Sequence, residues 1–440
     1  MNKSILAKIA LTKPQFLGIA IACIPLALVV QVNSALAASF ELTQTFNNPD
    51  PGVQDAFGSD VDIDHNLVVI GESNDSTDAS KSGLAHLFNA DTGNLLATFL
   101  NPTPQANDNF GTAVAIDNNS VLIGAPGDRT AGGFQSGAAY LFDTAGTLQQ
   151  TFLNPNNTAG DLFGDSVALF GNKALIGANS SDEGAVNTGI AYLFDAVTGN
   201  LLREFEDPTP GAGQRFGSSL AIFENHVLIG DILDNTGAPQ SGAAHLFDAI
   251  TGDLVHTFLN PDPDFNDRFS TAVALDGNKA LISAQNDNFG ATDSGVAYLF
   301  DLTTKGLLQT FVNPTPEAGD KFGSFTSVDL DGNNAIIGAN FDNTGAPDTG
   351  AAYLFDVTSG DLVETFLNPT PNPSDRFGRV AISGNNVVIS ASSDDLEALD
   401  SGIAYLFQTV PEPKATLSLL GLGAVGAGTL LKRKQKAGKG

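Results

Sequence analysis

The segment SFELTQTFNN, Ser39–Asn48, resembles the end of a unit that recurs later in the chain. Close matches are NLLATFLNP at Asn94–Pro102, DLVHTFLNP at Asp253–Pro261 and DLVETFLNP at Asp361–Pro369. In each later case the rest of the unit precedes the match, whereas no part of the unit precedes Ser39. The segment therefore looks like the last strand of a repeat, detached from the repeat to which it belongs.

Two markers define the repeat. The first is a Phe-Gly pair at intervals of 53 to 55 residues, and the second is the tetrapeptide AYLF or AHLF about 30 residues further on. The first marker stands at Phe57, Phe110, Phe163, Phe216, Phe269, Phe322 and Phe377, with Ser270 in place of glycine in the fifth copy. Seven such units leave no room for a linker or a second globular domain.

Each unit has the pattern of four short strands. In the second copy these are Thr112–Asp117, Ser120–Ala125, Gly137–Asp143 and Leu148–Asn154, separated by Gly, Asn and Asp turns. The first two strands are apolar on both faces, which is typical of strands between stacked sheets, and helical spacing does not occur in the body. Seven four-stranded units predict an all-β fold, a seven-bladed β-propeller over residues 38–409.

The seventh copy lacks its fourth strand. It contains Val380–Ser383, Val387–Ala391 and Gly402–Phe407, and the chain then continues into QTVPEP. We predict that Phe40–Asn47 supplies the missing strand, pairs with the third strand of copy seven and closes the ring. Closure removes the unpaired apolar edge that an open array of sheets would expose.

Residues 1–37 have the pattern of a signal peptide. Basic residues at the start precede an apolar run, and the small residues Ala35 and Ala37 fit a cleavage site. A retained membrane anchor is the alternative, and the context of Cys23 fits a lipoprotein signal poorly. Because Cys23 is the only cysteine, cleavage after Ala37 leaves a mature chain without disulfides or thiol chemistry.

Residues 410–440 combine three features. Pro411, Glu412 and Pro413 precede the apolar run Ala415–Leu431, and a basic tail follows at Lys432–Lys436. This arrangement resembles a PEP-CTERM sorting signal. The resemblance implies recognition by an exosortase, removal of the helix and delivery to the cell surface or extracellular matrix of a Gram-negative-type bacterium. A simple tail anchor is the alternative, and either implies transient or permanent membrane contact through this C-terminal helix.

The repeat itself resembles the FG-GAP repeat, the propeller unit of integrin α-subunits. The resemblance rests on FGTAVAI, VLIGAPGD and SGAAYLF, within Phe110–Phe142. Many members of that family have a D-x-D-x-D-G calcium loop between the first and second strands. Here that connection is a tight turn, such as Asp117–Asn119 or Asp276–Asn278, so the family's calcium site does not carry over. We expect no cofactor and no metal site, and calcium binding stays open.

An aspartate follows the second strand in every copy. These residues are Asp75, Asp128, Asp182, Asp234, Asp287, Asp342 and Asp394, with Asp182 displaced by one position. Because strands alternate in direction, the connections from strand two to strand three share one face of the ring with the connections between blades. We therefore predict a binding face of long acidic loops. The simpler interpretation is that each aspartate is a turn residue or a strand-end cap.

Charge and motifs restrict the chemistry. Residues 38–413 contain 11 basic and 49 acidic residues, a formal charge of −38, which disfavours nucleic acid and anionic membranes as partners. Motifs for metalloprotease, nucleophile-elbow or phosphate-loop chemistry are not found. His86 and His245 take the position of Tyr140 in the third strand, and we expect them to be ordinary strand residues.

These observations favour a non-catalytic function. We expect an exported adhesion or binding module for exopolysaccharide or a surface protein. The alternative is a glycan-processing hydrolase that uses a pair of acidic residues on the long-loop face. A structural matrix protein without a specific ligand is a third hypothesis.

Overall fold

The computed structural model describes residues 39–410, which form 28 β-strands in seven antiparallel sheets of four strands. Blade one contains β2 (Phe57–Asp64), β3 (Leu67–Glu72), β4 (Leu84–Asn89) and β5 (Leu95–Leu100). Blade two contains β6 (Val114–Asp117), β7 (Ser120–Ala125), β8 (Ala138–Asp143) and β9 (Leu148–Leu153). Blade three contains β10 (Val167–Phe170), β11 (Lys173–Ala178), β12 (Ile190–Asp195) and β13 (Leu201–Glu206). Blade four contains β14 (Phe216–Phe223), β15 (His226–Asp231), β16 (Ala243–Asp248) and β17 (Leu254–Leu259).

The remaining blades repeat the order. Blade five contains β18 (Phe269–Asp276), β19 (Lys279–Ala284), β20 (Val296–Asp301) and β21 (Leu307–Val312). Blade six contains β22 (Val328–Asp331), β23 (Asn334–Ala339), β24 (Ala351–Asp356) and β25 (Leu362–Leu367). Blade seven contains β26 (Phe377–Ser383), β27 (Asn386–Ala391), β28 (Ile403–Val410) and β1 (Ser39–Asn47). The prediction of a seven-bladed, all-β propeller is confirmed.

The first strand of the described chain closes the ring. β1 pairs antiparallel with β28, from Ser39 opposite Val410 to Asn47 opposite Ile403, with one irregularity between Leu42 and Gln44. The sheet order β1-β28-β27-β26 makes β1 the outermost strand of blade seven, as the orphan repeat fragment predicts. The two ends of the described chain therefore lie side by side and complete one sheet.

A cluster of three phenylalanines fills each junction between blades. In the junction of blades one and two, Phe142 of β8 lies 5.2 Å from Phe99 of β5 and 6.1 Å from Phe110, between ring centroids. In the junction of blades seven and one, Phe46 of β1 takes the place of Phe99 and lies 5.0 Å from Phe88. These rings are buried. They belong to three dipeptides that recur in the repeat: TF in the fourth strand, FG at or just before the start of the first strand and LF in the third strand. The packing of the junction explains why the repeat keeps a phenylalanine in each.

Glycine is required where neighbouring blades approach most closely. Gly137, directly before β8, has φ +82°, and a β-carbon there would lie 2.1 Å from the carbonyl oxygen of Phe163 in the next blade. An equivalent glycine precedes the third strand in every blade, and each lies against the carbonyl oxygen of the corresponding phenylalanine in the next blade. The SG dipeptide of the repeat thus follows from the distance between blades, because no side chain fits in this gap.

Loops pair across blades to form one face of the ring. The connection between the second and third strands of a blade bonds to the connection that leads into the next blade. Gly160 N–H donates to Phe134 at 3.0 Å, Asn266 N–H to Pro239 at 3.1 Å, and Gly319 N–H to Thr292 at 2.9 Å. We call the surface formed by these two sets of connections the long-loop face. The predicted grouping of the loops on one face is confirmed.

The two predicted targeting segments lie outside the described residues. The predicted signal peptide with Ala35 and Ala37 falls in residues 1–38, and the predicted sorting motif Pro411–Pro413 with its apolar run falls in residues 411–440. Within residues 39–410, no helix has the length and apolar character needed to cross a membrane.

Deletion of Ser39–Asn48 should leave blade seven with an exposed edge and junction seven-to-one without Phe46. We expect a loss of at least ~3–5 kcal/mol of unfolding free energy, or aggregation, because Phe46 is 1% exposed and its removal leaves a cavity. Denaturant unfolding of the deletion variant and of the intact chain measures this. Cooperative unfolding at the same midpoint in both would contradict ring closure.

Phe46→Ala should cost as much as Phe99→Ala, about 3–5 kcal/mol in each case. The reason is that both rings fill the same position in their respective junctions. Leu42→Ala, at a side chain on β1 that is 44% exposed, is the control and should change stability by less than ~0.5 kcal/mol. A neutral Phe46→Ala beside a costly Phe99→Ala would show that β1 does not complete the ring in solution.

Candidate functional site

Six of the seven aspartates singled out by the sequence are buried beneath the long-loop face. Asp394 is the least exposed at 0% and Asp287 the most at 8%. Four of these carboxylates accept a backbone N–H group of their own loop, for example Asp234 from Thr236 at 2.6 Å and Asp342 from Thr344 at 2.8 Å. The remaining members are Asp75, Asp128 and Asp287. The structure brings no two of these aspartates together, since each lies in its own blade.

Asp182 is the exception. It is exposed, and its carboxylate accepts the backbone N–H of Asn187 at 2.8 Å. Ser181 takes the buried position that aspartate has in the other blades. As a result the buried hydroxyl of Tyr192 has no hydrogen-bond partner, whereas Tyr353 donates to Asp342 at 2.7 Å in blade six.

A second buried aspartate, which sequence analysis missed, lies beside the first in most junctions. It stands two residues before the FG phenylalanine and accepts a hydrogen bond from the side chain of an asparagine seven residues earlier, at 2.7 to 2.9 Å. The pairs are Asn101–Asp108, Asn154–Asp161, Asn260–Asp267, Asn313–Asp320 and Asn368–Asp375. The recurring sequence pattern N-P-x5-D-x-F could have identified these asparagine–aspartate pairs.

Burial and a neighbouring carboxylate perturb these aspartates. Burial first, and then the charge of the adjacent loop aspartate, raise the pKa of four of them to about 6. The four are Asp108, Asp267, Asp320 and Asp375. These carboxyl groups therefore hold protons in the folded protein at pH values where the unfolded chain has released them.

Blade one departs from the repeat at two buried positions. Glu72 ends β3 where Ala125 ends β7, and His86 replaces the tyrosine of β4. His86 Nε2 lies 2.7 Å from Glu72 Oε2, and Asn48 Nδ2 donates to Glu72 Oε1 at 2.5 Å. Burial raises the pKa of Glu72 to about 9 and lowers the pKa of His86 to about 4, so burial disfavours the charged form of each group.

Blade four departs from the repeat at the same two positions as blade one and at two further positions. Asp231 ends β15, His245 replaces the tyrosine of β16, and the asparagine–aspartate pair of the other junctions becomes Asp207 and Gln214. Asp207, Asp231 and His245 are buried, and one donor atom from each lies within 4.8 Å of the others. Burial, with the carboxylates of Asp207 and Asp234, raises the pKa of Asp231 to about 9.

His86 and His245 occupy positions in β4 and β16, as expected of strand residues, and the structure adds that each faces a buried acid. Comparison of the copies could have found this, because an acid ends the second strand only in the two copies where histidine replaces tyrosine.

Basic residues are concentrated on the long-loop face. Of the 11 Lys and Arg residues between residues 38 and 413, seven lie in its connections or at the adjoining end of the central channel. These are Lys81, Arg129, Arg215, Arg268, Lys321, Arg376 and Arg379. Four of them occupy or flank equivalent positions in consecutive blades, because Arg215, Arg268, Lys321 and Arg376 each precede the FG phenylalanine. We call these seven residues the basic arc.

Most of the basic arc lacks an acidic partner. Within residues 39–410, Lys321 is its only member with a carboxylate oxygen within 4.0 Å, and that oxygen belongs to Asp293 at 3.1 Å. Lys81, Arg376 and Arg379 line one polar cavity of about 490 Å³ together with serine and asparagine side chains and one acidic residue, Asp400. Next to it the inner strands enclose a channel of about 500 Å³, where Asp60 accepts the backbone N–H of Val114 at 2.9 Å.

Exposed aromatic side chains lie on the same face. Phe134 and Phe289 stand in connections between second and third strands, and Phe265 stands in the connection from blade four to blade five. Their exposed fractions are 52%, 55% and 71%. Arg129 stacks over Phe134 with 4.8 Å between the guanidinium carbon and the ring centroid. Exposed rings beside unpaired cations are typical of a binding surface.

Comparison with known proteins identifies the repeat. The model of the FG-GAP repeat matches seven segments, residues 41–88, 98–142, 147–194, 209–247, 254–300, 309–355 and 369–407. The chain belongs to the FG-GAP repeat family. No curated protein sequence matches this FG-GAP propeller. One similar solved structure is the crystal structure of the computationally designed Ika8 protein, which is 15% identical with a TM-score of 0.47, over 83% of this chain and 100% of that chain.

The four aspartates with a pKa of about 6 make stability depend on pH. Their folded pKa values exceed the usual 3.8, so their contribution is fully present below about pH 4 and is lost as pH rises through 6. We expect the unfolding free energy to fall between pH 4 and pH 7, as measured by denaturant unfolding at several pH values.

The variant in which Asn replaces all four residues, Asp108, Asp267, Asp320 and Asp375, is the control. Asparagine does not titrate, so the slope between pH 4 and pH 7 should decrease. An unchanged slope in this variant would assign the pH dependence to other groups.

Proposed function

We propose that this FG-GAP propeller is a non-catalytic binding module for an acidic polysaccharide of the cell surface or extracellular matrix. The observation that supports this function is the concentration of unpaired cations on one face of a protein whose body has a formal charge of −38. The acidic residues of the body are sufficient for solubility. Solubility therefore does not explain why seven of the 11 basic residues lie together on one face.

An acidic polymer suits this arrangement better than a small anion. The basic arc extends over several consecutive blades, so its charges meet a ligand that repeats its carboxylate or sulfate groups along its length. Serine and asparagine side chains in the cavity of Lys81, Arg376 and Arg379 offer hydrogen bonds to hydroxyl groups. Phe134, Phe265 and Phe289 offer apolar surface for the faces of sugar rings.

Burial of the loop aspartates favours binding over the hydrolase alternative. A retaining or inverting glycosidase needs two carboxyl groups that flank the scissile bond and are accessible to the substrate. Asp234, Asp342 and Asp394 are at most 2% exposed and hold their own loops through hydrogen bonds. A sugar would reach them only after the turns they stabilise had opened.

We also propose that the protein is exported and processed at both ends. The supporting features are the signal-like residues 1–37 and the motif Pro411–Pro413 before an apolar run and a basic tail. An exosortase-type enzyme would then be a partner, and the propeller would reach the cell surface or matrix where acidic polysaccharide is present.

Binding can be measured by calorimetry with the full chain, a polyuronate and a neutral glucan at low ionic strength. We expect the polyuronate to bind, the glucan not to bind, and added salt to weaken binding because the contacts are partly exposed charges. The triple variant Lys81→Gln, Arg268→Gln, Arg376→Gln should bind at least about tenfold more weakly.

The matched control changes three cations away from this face, Lys173→Gln, Lys279→Gln and Lys305→Gln, and alters the net charge by the same amount. It should bind as the unmodified protein does. Equal loss in both variants would make the attraction non-specific. Release of shortened sugars would instead favour the hydrolase, and capture of a surface protein without polysaccharide binding would favour a protein ligand.

Processing can be tested by the intact mass of the protein recovered from its source cells. We expect a mass that corresponds to cleavage after Ala37 and to loss of the apolar run Ala415–Leu431. A mass that retains Ala415–Leu431 would favour the tail anchor over the sorting signal.

A further inference from the structure

Three buried side chains meet at the junction of blades three and four with part of their hydrogen-bonding capacity unused. Asp207 Oδ2, Asp231 Oδ1 and His245 Nε2 are buried atoms without a hydrogen-bond partner. The three residues are 6%, 0% and 1% exposed, and one donor atom from each lies within 4.8 Å of the others. We call them the blade-four cluster.

No basic side chain compensates this cluster. Within the described residues, neither Asp207 nor Asp231 has a Lys or Arg nitrogen within 4.0 Å. The side-chain amide of Gln214 donates to Asp234 at 2.8 Å and more weakly to Asp231 at 3.4 Å, and the other amide atom, Oε1, is itself unpartnered. Buried carboxylates without a counter-charge are costly, and protons or a bound cation are the ways to offset that cost.

Blade one provides an internal comparison. Its histidine and strand-end acid are bonded to each other, because Glu72 is one methylene longer than aspartate and reaches His86 at 2.7 Å. Asn48 satisfies the second oxygen of Glu72, and neither Glu72 nor His86 has an unpartnered buried atom. In blade four the shorter Asp231 leaves Nε2 of His245 open, and Asp207 stands where blade one has Asn48.

The donor set indicates which ion would fit. An imidazole nitrogen with carboxylate oxygens suits Zn²⁺ or Mn²⁺, whereas Ca²⁺ prefers an all-oxygen shell. Zinc binds such nitrogen and oxygen atoms at about 2.0–2.2 Å, so ligands around one ion lie about 3–4 Å apart. The observed 4.8 Å limit therefore requires only small movements toward a common centre.

The hydrogen bond on the other side of the imidazole supports the same assignment. His245 Nδ1 lies 3.0 Å from Thr257 Oγ1, which allows Nδ1 to hold the ring proton. Nε2 then presents its lone pair to the carboxylates, as a metal-bound histidine does when its second nitrogen is hydrogen-bonded.

We propose that Asp207, Asp231 and His245 bind one divalent transition-metal ion of the Zn²⁺ or Mn²⁺ class. Water completes the shell. Asp207 follows β13 of blade three, whereas Asp231 and His245 belong to blade four, so the ion ties two blades together. This site lies under the long-loop face. The family's calcium loop connects the first and second strands of a blade, and that connection lies at the opposite end of the blade.

The test uses the full chain, stripped of metal with a chelator and titrated with ZnCl₂, MnCl₂ or CaCl₂ near pH 7.5. We expect one Zn²⁺ or Mn²⁺ per chain by calorimetry and elemental analysis, a higher midpoint of thermal unfolding, and no comparable binding of Ca²⁺. The double variant Asp231→Ala, His245→Tyr restores the residue types of blade two and should weaken binding at least tenfold.

Two further variants keep the test decisive. Glu72→Ala, His86→Tyr makes the matching change in blade one and should retain the ion. Asp231→Asn preserves side-chain shape, so it tests the ligand if the double variant fails to fold, and it should weaken binding as strongly. Absence of stoichiometric Zn²⁺ or Mn²⁺ binding, preference for Ca²⁺, or unchanged affinity in Asp231→Asn would each overturn the site. A protonated carboxyl shared between Asp207 and Asp231 would then be the alternative, visible as an infrared carbonyl band.

Discussion

The pairing of β1 with β28 is the contact on which the rest of the ring depends. Every junction between blades uses one phenylalanine from the fourth strand of the preceding sheet, and in the last junction only β1 can supply it. Phe46 takes that place and Phe40 packs against Phe366 of blade six, so the same strand contacts both neighbouring sheets. Without it, one sheet would have an unpaired edge and two junctions would be incomplete. Closure thus converts seven local packing units into one cooperative structure.

The close approach of neighbouring blades sets the distance between them and brings polar groups of the loops into the junctions. Glycines such as Gly137 allow one backbone to contact the next, and the loops above must then turn within a short distance. Buried aspartates hold those turns, and each needs a partner because it lies away from water. In most junctions asparagine and tyrosine side chains serve as partners, as Asn313 and Tyr353 do in blade six. Blades one and four replace these partners with acid and histidine, and of these two blades only blade four leaves the histidine and its strand-end acid with unpartnered buried atoms.

The distribution of charge differs between the whole molecule and its long-loop face. A body with a formal charge of −38 repels most anions at long range. At short range, unpaired residues such as Arg376 and Lys81 create a local region of the opposite sign beside exposed phenylalanines. Such a surface would hold an acidic polymer through several weak contacts and would leave neutral sugars unbound. It would also make binding sensitive to ionic strength, because these side chains are partly exposed.

The sequence by itself determined the number of blades, the four strands of each and the strand that closes the ring. These features rest on local periodicity and on markers such as Phe110 and Gly137, which every copy repeats. The sequence did not show that Asp128 and Asp342 are buried, because a turn aspartate has the same pattern at the surface and below it. It also did not show that Asp207, Asp231 and His245 meet, or that the basic residues share one face. Those groupings join residues from different blades and strands, so only the closed ring, which sets the position of each blade against the next, decides them.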